Sequence, residues 1–249
     1  MTKGILLFCF DTKDTQYYKI LEKCVYLIQK NLKLEITVVT NFDTYKKLKP
    51  LGFINYKFIE PELGNTKLGK EWNNVDRHLA YELSPYDTTL VMDIDYFCYT
   101  DTLLQFMDTK YDFLISTQAH DLTQRNTFHQ RVWSMIPMVW ATVFIFKKTE
   151  KVRKLFDTIK YVKKYYHYFN QLYRIFSKNF RNDYAFAIAL QQLNGFTSYN
   201  TLPIQLATLP QDCKVVKMTD SVIAWEYKDQ INFVVNQDVH VLNKEVANV

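Results

Sequence analysis

Two aspartates inside an apolar run constrain this chain more than any other feature. Residues 90–101 read LVMDIDYFCYTD. Apolar residues on both sides of Asp93 and Asp95 mark a strand buried on both faces. An ionised carboxylate in such surroundings costs several kcal/mol unless a cation or a metal compensates it. Residues i and i+2 of a strand point the same way, so the two carboxylates also repel. The pattern requires either a cation at this point or a strand-end turn in which both aspartates cap backbone amides.

The surrounding sequence alternates strands and helices. GILLFCF (4–10) reads as a buried strand, and residues 15–32 as a helix with Tyr18, Leu21, Val25 and Ile28 on one face. Strands follow at 34–41 and 56–61, a helix at 69–83 broken by SPYD, and a strand at 88–95 that carries the aspartate pair. Further strands are expected at 111–117 and 141–148. One long helix is expected over 151–180, with Val162, Tyr166, Phe169, Tyr173, Phe176 and Phe180 facing the core, and a second helix over 181–194. Short strands near 214–218, 222–226 and 232–235 and the segment DVHVLNK (238–244) complete the chain. The order predicts an α/β fold with a Rossmann-like, mostly parallel sheet flanked by helices and a small antiparallel C-terminal part.

With 249 residues, five glycines and no repeat or linker, residues 1–249 read as one domain. Its nucleotide-binding half would span about 1–101 and its acceptor half about 102–249. No apolar run reaches the roughly 18 to 20 residues that span a bilayer. The start, MTKGILLFCFDTKD, lacks a small-residue cleavage site and reads as a first strand, not a signal peptide. Cys9, Cys24, Cys98 and Cys213 form no CxxC pair, which suits reduced thiols and a cytoplasmic location. The net charge of +5 is compatible with a polyanionic partner but establishes none.

Ligands of open α/β sheets bind beyond the carboxyl ends of the strands, where Asp93 and Asp95 stand. Two hard oxygen ligands on one side suit Mg²⁺ or Mn²⁺, which commonly takes one or two carboxylates together with substrate phosphate oxygens. From Arg77 to Asp101 the sequence RHLAYELSPYDTTLVMDIDYFCYTD resembles the GT-A glycosyltransferases, in particular glycogenin-like sugar transferases. Their pattern is a helix, a short tyrosine-containing break, then apolar residues leading into DxD. The resemblance implies a metal-dependent transfer of a sugar from a nucleotide-diphosphate sugar, UDP first among them, to an acceptor hydroxyl. By the same resemblance Asp95 is a direct metal ligand, Asp93 contacts metal or ribose, and His240 supplies a third ligand. Lys244 then contacts the diphosphate, and Arg77 approaches the nucleotide-sugar. Phe10, Asp11 and Thr12, with Asn41 after the second strand, cup base and ribose. Asp183 faces the acceptor and the anomeric carbon.

The chain departs from the family pattern in two places. MVWATVFIF (138–146) replaces the small-residue turn seen in many relatives, and no KPW-like ending follows, so the subfamily stays open. The metal-plus-histidine arrangement points to retention of configuration, whereas Asp183 as general base would point to inversion. The candidate acceptors are a lipid-linked or cell-surface glycan precursor, a protein side chain, or a hydroxymethylated DNA base of the kind some bacteriophages modify, the last of which would place a phage enzyme in the host cytoplasm. For DNA, the loop carrying Arg125, His129, Arg131 and Trp133 is the natural contact region. Two alternatives come from other classes. A metal-dependent nucleotidyltransferase or phosphodiesterase would need a glycine-rich phosphate loop or more acidic and histidine residues. A non-catalytic nucleic-acid-binding domain would rest on the basic, aromatic helix around 160–181.

Overall fold

The apolar runs of the sequence become strands in the order expected, and the polar breaks between them carry the helices. The computed structural model describes the chain except residues 49–53, 63, 68–69, 74–75, 126–133 and 178 and the side chains of residues 67 and 70. β1 (Lys3–Phe8) leads to α1 (Tyr17–Asn31), β2 (Glu35–Thr40), the one-turn α2 (Phe42–Tyr45) and β3 (Ile54–Phe58). A hairpin of β4 (Thr66–Lys67) and β5 (Lys70–Glu71) precedes a 3-10 turn (Asp76–Leu79) and α3 (Ala80–Leu83). β6 (Thr88–Met92), β7 (Tyr96–Phe97), β8 (Phe113–Ser116), β9 (Gln118–Asp121) and β10 (Trp140–Lys147) follow. Then come α4 (Glu150–Lys164), α5 (Tyr166–Leu172) and α6 (Asn182–Leu193). The C-terminal part holds β11 (Gln205–Leu209), β12 (Lys214–Met218), β13 (Val222–Tyr227), β14 (Gln230–Val235) and β15 (Val239–Val241).

The central sheet has the order β3-β2-β1-β6-β10-β8. The first four strands are parallel, and β10 runs antiparallel to both of its neighbours. The two-residue side-chain period distributes β1 between two cores. Ile5 and Leu7 pack with Ile20, Leu21 and Ile28 of α1, whereas Leu6 and Phe8 face Phe144, Phe156 and Phe186 on the side covered by α4 and α6. A second sheet, β7-β15-β11-β9, and a small antiparallel sheet, β12-β13-β14, complete the fold class read from the sequence.

Three local expectations need correction. The helix expected over 69–83 is realised only from Asp76 onward, beginning as a 3-10 turn, and Lys70–Glu71 are extended. Here tertiary contacts override helix propensity: Asp76 is buried, where it accepts hydrogen bonds from Glu62 N–H (3.4 Å) and Lys163 (3.4 Å). The long helix expected over 151–180 breaks at Tyr165 and ends at Leu172. Arg174 and Phe176 take positive φ, the Ile175 N–H reaches back to Asn170 C=O (2.9 Å), and the Asn170 carboxamide accepts from Ser177 N–H (3.2 Å). This side chain competes for backbone groups and closes the helix. β7 and β9 lie outside the segments in which the sequence leads one to expect strands.

Asp238 fastens β15 at its start, accepting from the Thr100 N–H (2.8 Å) and hydroxyl (3.0 Å). Burial raises its carboxyl from 3.8 to about 6, against the lowering effect of those hydrogen bonds. A raised folded-state pKa means that the folded protein binds this proton more tightly than the unfolded chain. The contribution to stability is complete below about pH 4 and is lost as the pH rises through about 6. Urea denaturation across this window should show the Asp238 contribution to wild-type stability falling by about 2 to 3 kcal/mol. Asp238→Asn should lack that component of the slope, whatever its absolute stability. Identical slopes would show that Asp238 does not titrate in this range.

Candidate functional site

β6 ends at Met92, one residue before the first aspartate. The Asp93 N–H donates to Thr142 C=O of β10 (2.9 Å), and the Tyr96 N–H returns to Asp93 C=O (3.0 Å). Asp93, Ile94 and Asp95 therefore form a turn between β6 and β7, and the strand does not run through residue 95 as the sequence suggests. Ile94 is buried in the core and pins the turn. Immediately beyond it, β7 pairs antiparallel with β15, placing His240 opposite Tyr96. The Val241 N–H donates to the Asp95 C=O at 2.8 Å.

That pairing brings His240 onto the aspartates. Its Nε2 lies 3.5 Å from Asp95 Oδ1 and 3.9 Å from Asp93 Oδ2. Ligand-capable atoms of Asp93, Asp95 and His240 all fall within 4.8 Å of one another. Two carboxylate oxygens and one imidazole nitrogen in this space fit a divalent cation of the Mg²⁺/Mn²⁺ class, the nitrogen favouring Mn²⁺.

Each acidic group here has a cation. Arg77 forms an ion pair with Asp93, and Lys244 with Asp95. Burial alone would raise the Asp95 carboxyl, but Lys244 and then His240 outweigh it and hold the group well below the usual carboxylate range. Burial likewise pushes the Arg77 guanidinium down to about 10, with Asp183 and Asp95 opposing, so it stays charged at neutral pH.

One backbone unit couples the two halves of the site. Arg77 donates to Ala141 C=O (2.7 Å), and Ala141 N–H donates to Asp183 Oδ1 (3.1 Å). Arg181 donates to the other oxygen of Asp183 at 3.0 Å. Ala141 can serve both because the β10–β8 register shifts between Trp140 and Phe144, which diverts its backbone groups from the ladder.

These groups line a cavity of about 600 Å³. Of the residues singled out in the sequence, Phe10, Arg77, Asp93, Asp95, Asp183, His240 and Lys244 lie on its wall. Asp11, Thr12 and Asn41 are not among its lining residues. Asp11 accepts from Tyr18 N–H (2.9 Å) and pairs with Lys47 (3.0 Å). Thr12 accepts from Thr15 N–H (3.1 Å), and Asn41 caps α2 through Thr44 N–H (3.1 Å). Arg125 is held by Asp212 in two 2.7 Å hydrogen bonds, and His129, Arg131 and Trp133 lie outside the described residues.

Arg181, Trp140 and Asn73 are among the wall residues that the sequence did not single out. Arg181 was legible as a cation two residues before an acid. Trp140, edge-on to His240 at 6.3 Å, carries no local signal. Neither does Asn73, whose buried Oδ1 accepts no hydrogen bond among the described residues.

No family model matches the chain, and no curated protein matches it. Solved structures do. The galactosyltransferase LgtC, solved with donor and acceptor sugar analogues, superposes with a TM-score of 0.51 at 14% identity, covering 75% of this chain and 70% of LgtC. An active-site mutant of LgtC gives 0.50 at 15% identity, covering 76% and 69%. The glycosyltransferase GlyE of Streptococcus pneumoniae TIGR4 gives 0.46 at 13% identity, covering 82% of this chain and 46% of GlyE. The fold is that of the GT-A glycosyltransferases.

The ion pair at the centre of this fold's site is testable by stability alone. Arg77→Ala leaves Asp93 without its cation and Ala141 C=O without its donor. Breaking a buried pair in this way costs about 3–5 kcal/mol, so the urea midpoint should fall sharply. A midpoint within error of wild type would show that Asp93 is compensated by other means.

Proposed function

We propose that this cavity binds a nucleotide-diphosphate sugar, with UDP as the nucleotide, together with Mn²⁺ or Mg²⁺, and transfers the sugar to an acceptor hydroxyl. The observation that carries the reading is the convergence of Asp93, Asp95 and His240 at the end of β6. Asp95 and His240 would hold the cation, with Asp93 beside them. When bound, the cation neutralises the diphosphate leaving group. We assign residues 1–101 mainly to the nucleotide and residues 102–249 mainly to the acceptor, within one domain spanning the chain.

The charge balance supports metal and diphosphate entering together. Arg77, Lys244 and Arg181 already compensate Asp93, Asp95 and Asp183. A divalent ion alone would add uncompensated positive charge, and a diphosphate supplies the missing anion. Lys244 sits on a flexible stem, partly exposed, and can pass from Asp95 to a phosphate oxygen. Asp183 lies in the first turn of α6, where the helix dipole favours its charge. Both its oxygens already accept hydrogen bonds, so the group is better suited to stabilising positive charge at the anomeric carbon than to taking a proton. That favours retention. LgtC was solved with an acceptor sugar analogue, and we take a sugar hydroxyl as the acceptor here in preference to a DNA base.

Calorimetry tests the donor side. UDP with Mn²⁺ should bind far more tightly than either alone, and Asp95→Asn should weaken the Mn²⁺-dependent binding by at least about 100-fold. Equal UDP affinity with and without Mn²⁺ would remove the metal from the reading. Asp183→Asn keeps the acceptor for Ala141 N–H but removes the charge. It should leave donor affinity nearly unchanged and reduce turnover at saturating donor by roughly 10²–10⁴. Normal turnover would make Asp183 a structural contact of Ala141 and Arg181 only.

A further inference from the structure

The helical segment after β10 carries two aromatic stripes. One is internal: Phe156, Ile159, Val162, Tyr166 and Phe169 are buried in the core. The other is on the surface. Tyr161 is 56% exposed, Tyr165 43%, Tyr168 59% and Leu172 47%. Spacings of four, three and four residues put them on one helical face. The break at Tyr165 does not interrupt that face. Tyr165 N–H bonds Tyr161 C=O (3.1 Å), and Phe169 N–H bonds Tyr165 C=O (3.2 Å). The Tyr161 and Tyr165 rings meet at 4.8 Å, and Lys164 lies over the Tyr165 ring at 5.4 Å. Phe176, 70% exposed, follows where the helix has ended.

The charge of this segment is as unusual as its apolarity. Residues 150–181 hold nine Lys and Arg against two acidic residues, a net +7, while the whole chain carries only +5. The remainder is thus net negative, although Arg181 belongs to the cavity wall, where it pairs with Asp183. Lys151, Lys154, Lys164 and Arg174 are exposed.

We infer that this face docks on an anionic lipid bilayer. Tyrosine rings with an apolar body and a polar tip suit the headgroup level, and lysine stems extend past them to lipid phosphates. The positive segment complements the negative surface of such a membrane. Nucleic acid is the less fitting polyanion. Phosphate contacts on a duplex need cations along the contact line, whereas the centre of this stripe is Tyr165, Tyr168 and Leu172. Arg153, Lys160 and Lys163 are already paired with Glu150, Asp157, Glu82, Glu62 and Asp76. Peripheral attachment of this kind needs no spanning segment, and no described helix is long and apolar enough to cross a membrane. Docking does not depend on the chemistry proposed for the cavity.

The test is sedimentation of the full chain with vesicles of phosphatidylcholine alone, or of equal parts phosphatidylcholine and phosphatidylglycerol. A duplex oligonucleotide at the same salt serves as competitor. Wild type should bind only the anionic vesicles and lose binding as salt rises. Lys154→Glu with Lys164→Glu should weaken binding by about 30-fold or more. Tyr168→Ser with Leu172→Ser should weaken it by about 10-fold. All four side chains are exposed, and a thermal melt confirms that each variant is folded. Absence of vesicle binding, equal binding by wild type and both variants, or displacement from vesicles by the duplex would each overturn the inference.

Discussion

The site depends on a two-residue strand. β7 follows the aspartate turn directly, and its pairing with β15 carries the C-terminal segment back to a carboxylate that Lys244 reaches from 149 residues away. The bond from Val241 N–H to Asp95 C=O fixes the turn and the histidine strand in one register. A slip of one residue there would turn His240 away from the aspartates, because side chains alternate along a strand. The fold secures that register from both sides. β11 pairs with β15 on its far edge, and Asp238 ties the strand's start to Thr100.

The cost of burying acidic groups shapes everything around that pairing. Each of the three aspartates has its own cation, and the network runs without interruption from Asp93 through Arg77 and the Ala141 peptide to Asp183 and Arg181. A bulge in β10 releases the Ala141 groups for this use. Such a site is stable without an ion yet arranged to exchange cation partners. The stretch MVWATVFIF (138–146) therefore has a definite role in this chain: it supplies Trp140 to the cavity wall and the Ala141 peptide to the coupling.

Much of this was legible from residue order. The strand–helix alternation set the mostly parallel sheet, and Asp93, Asp95, His240, Lys244, Arg77 and Asp183 do share one cavity. What the sequence concealed was decided by contacts distant in the chain. β7 has no periodic signal because two residues are too few to show one. Asp76 looks like an ordinary helix residue until its burial beside Lys163 is known. Asp11 and Asn41 stand at strand ends, as ligand residues do, yet their side chains serve Tyr18, Lys47 and Thr44. The aromatic residues after β10 divide into a buried and an exposed stripe, a division that spacing alone left as a single core-facing one.

The central claim is that Asp95 and His240 hold one divalent ion. A crystal grown with Mn²⁺ and UDP, measured at the manganese absorption edge, tests it directly. The account predicts an anomalous peak within about 2.5 Å of Asp95 and of His240 Nε2, with the diphosphate on its open side. A peak on other residues, or density for UDP in the cavity with no manganese between it and Asp95, would contradict the account.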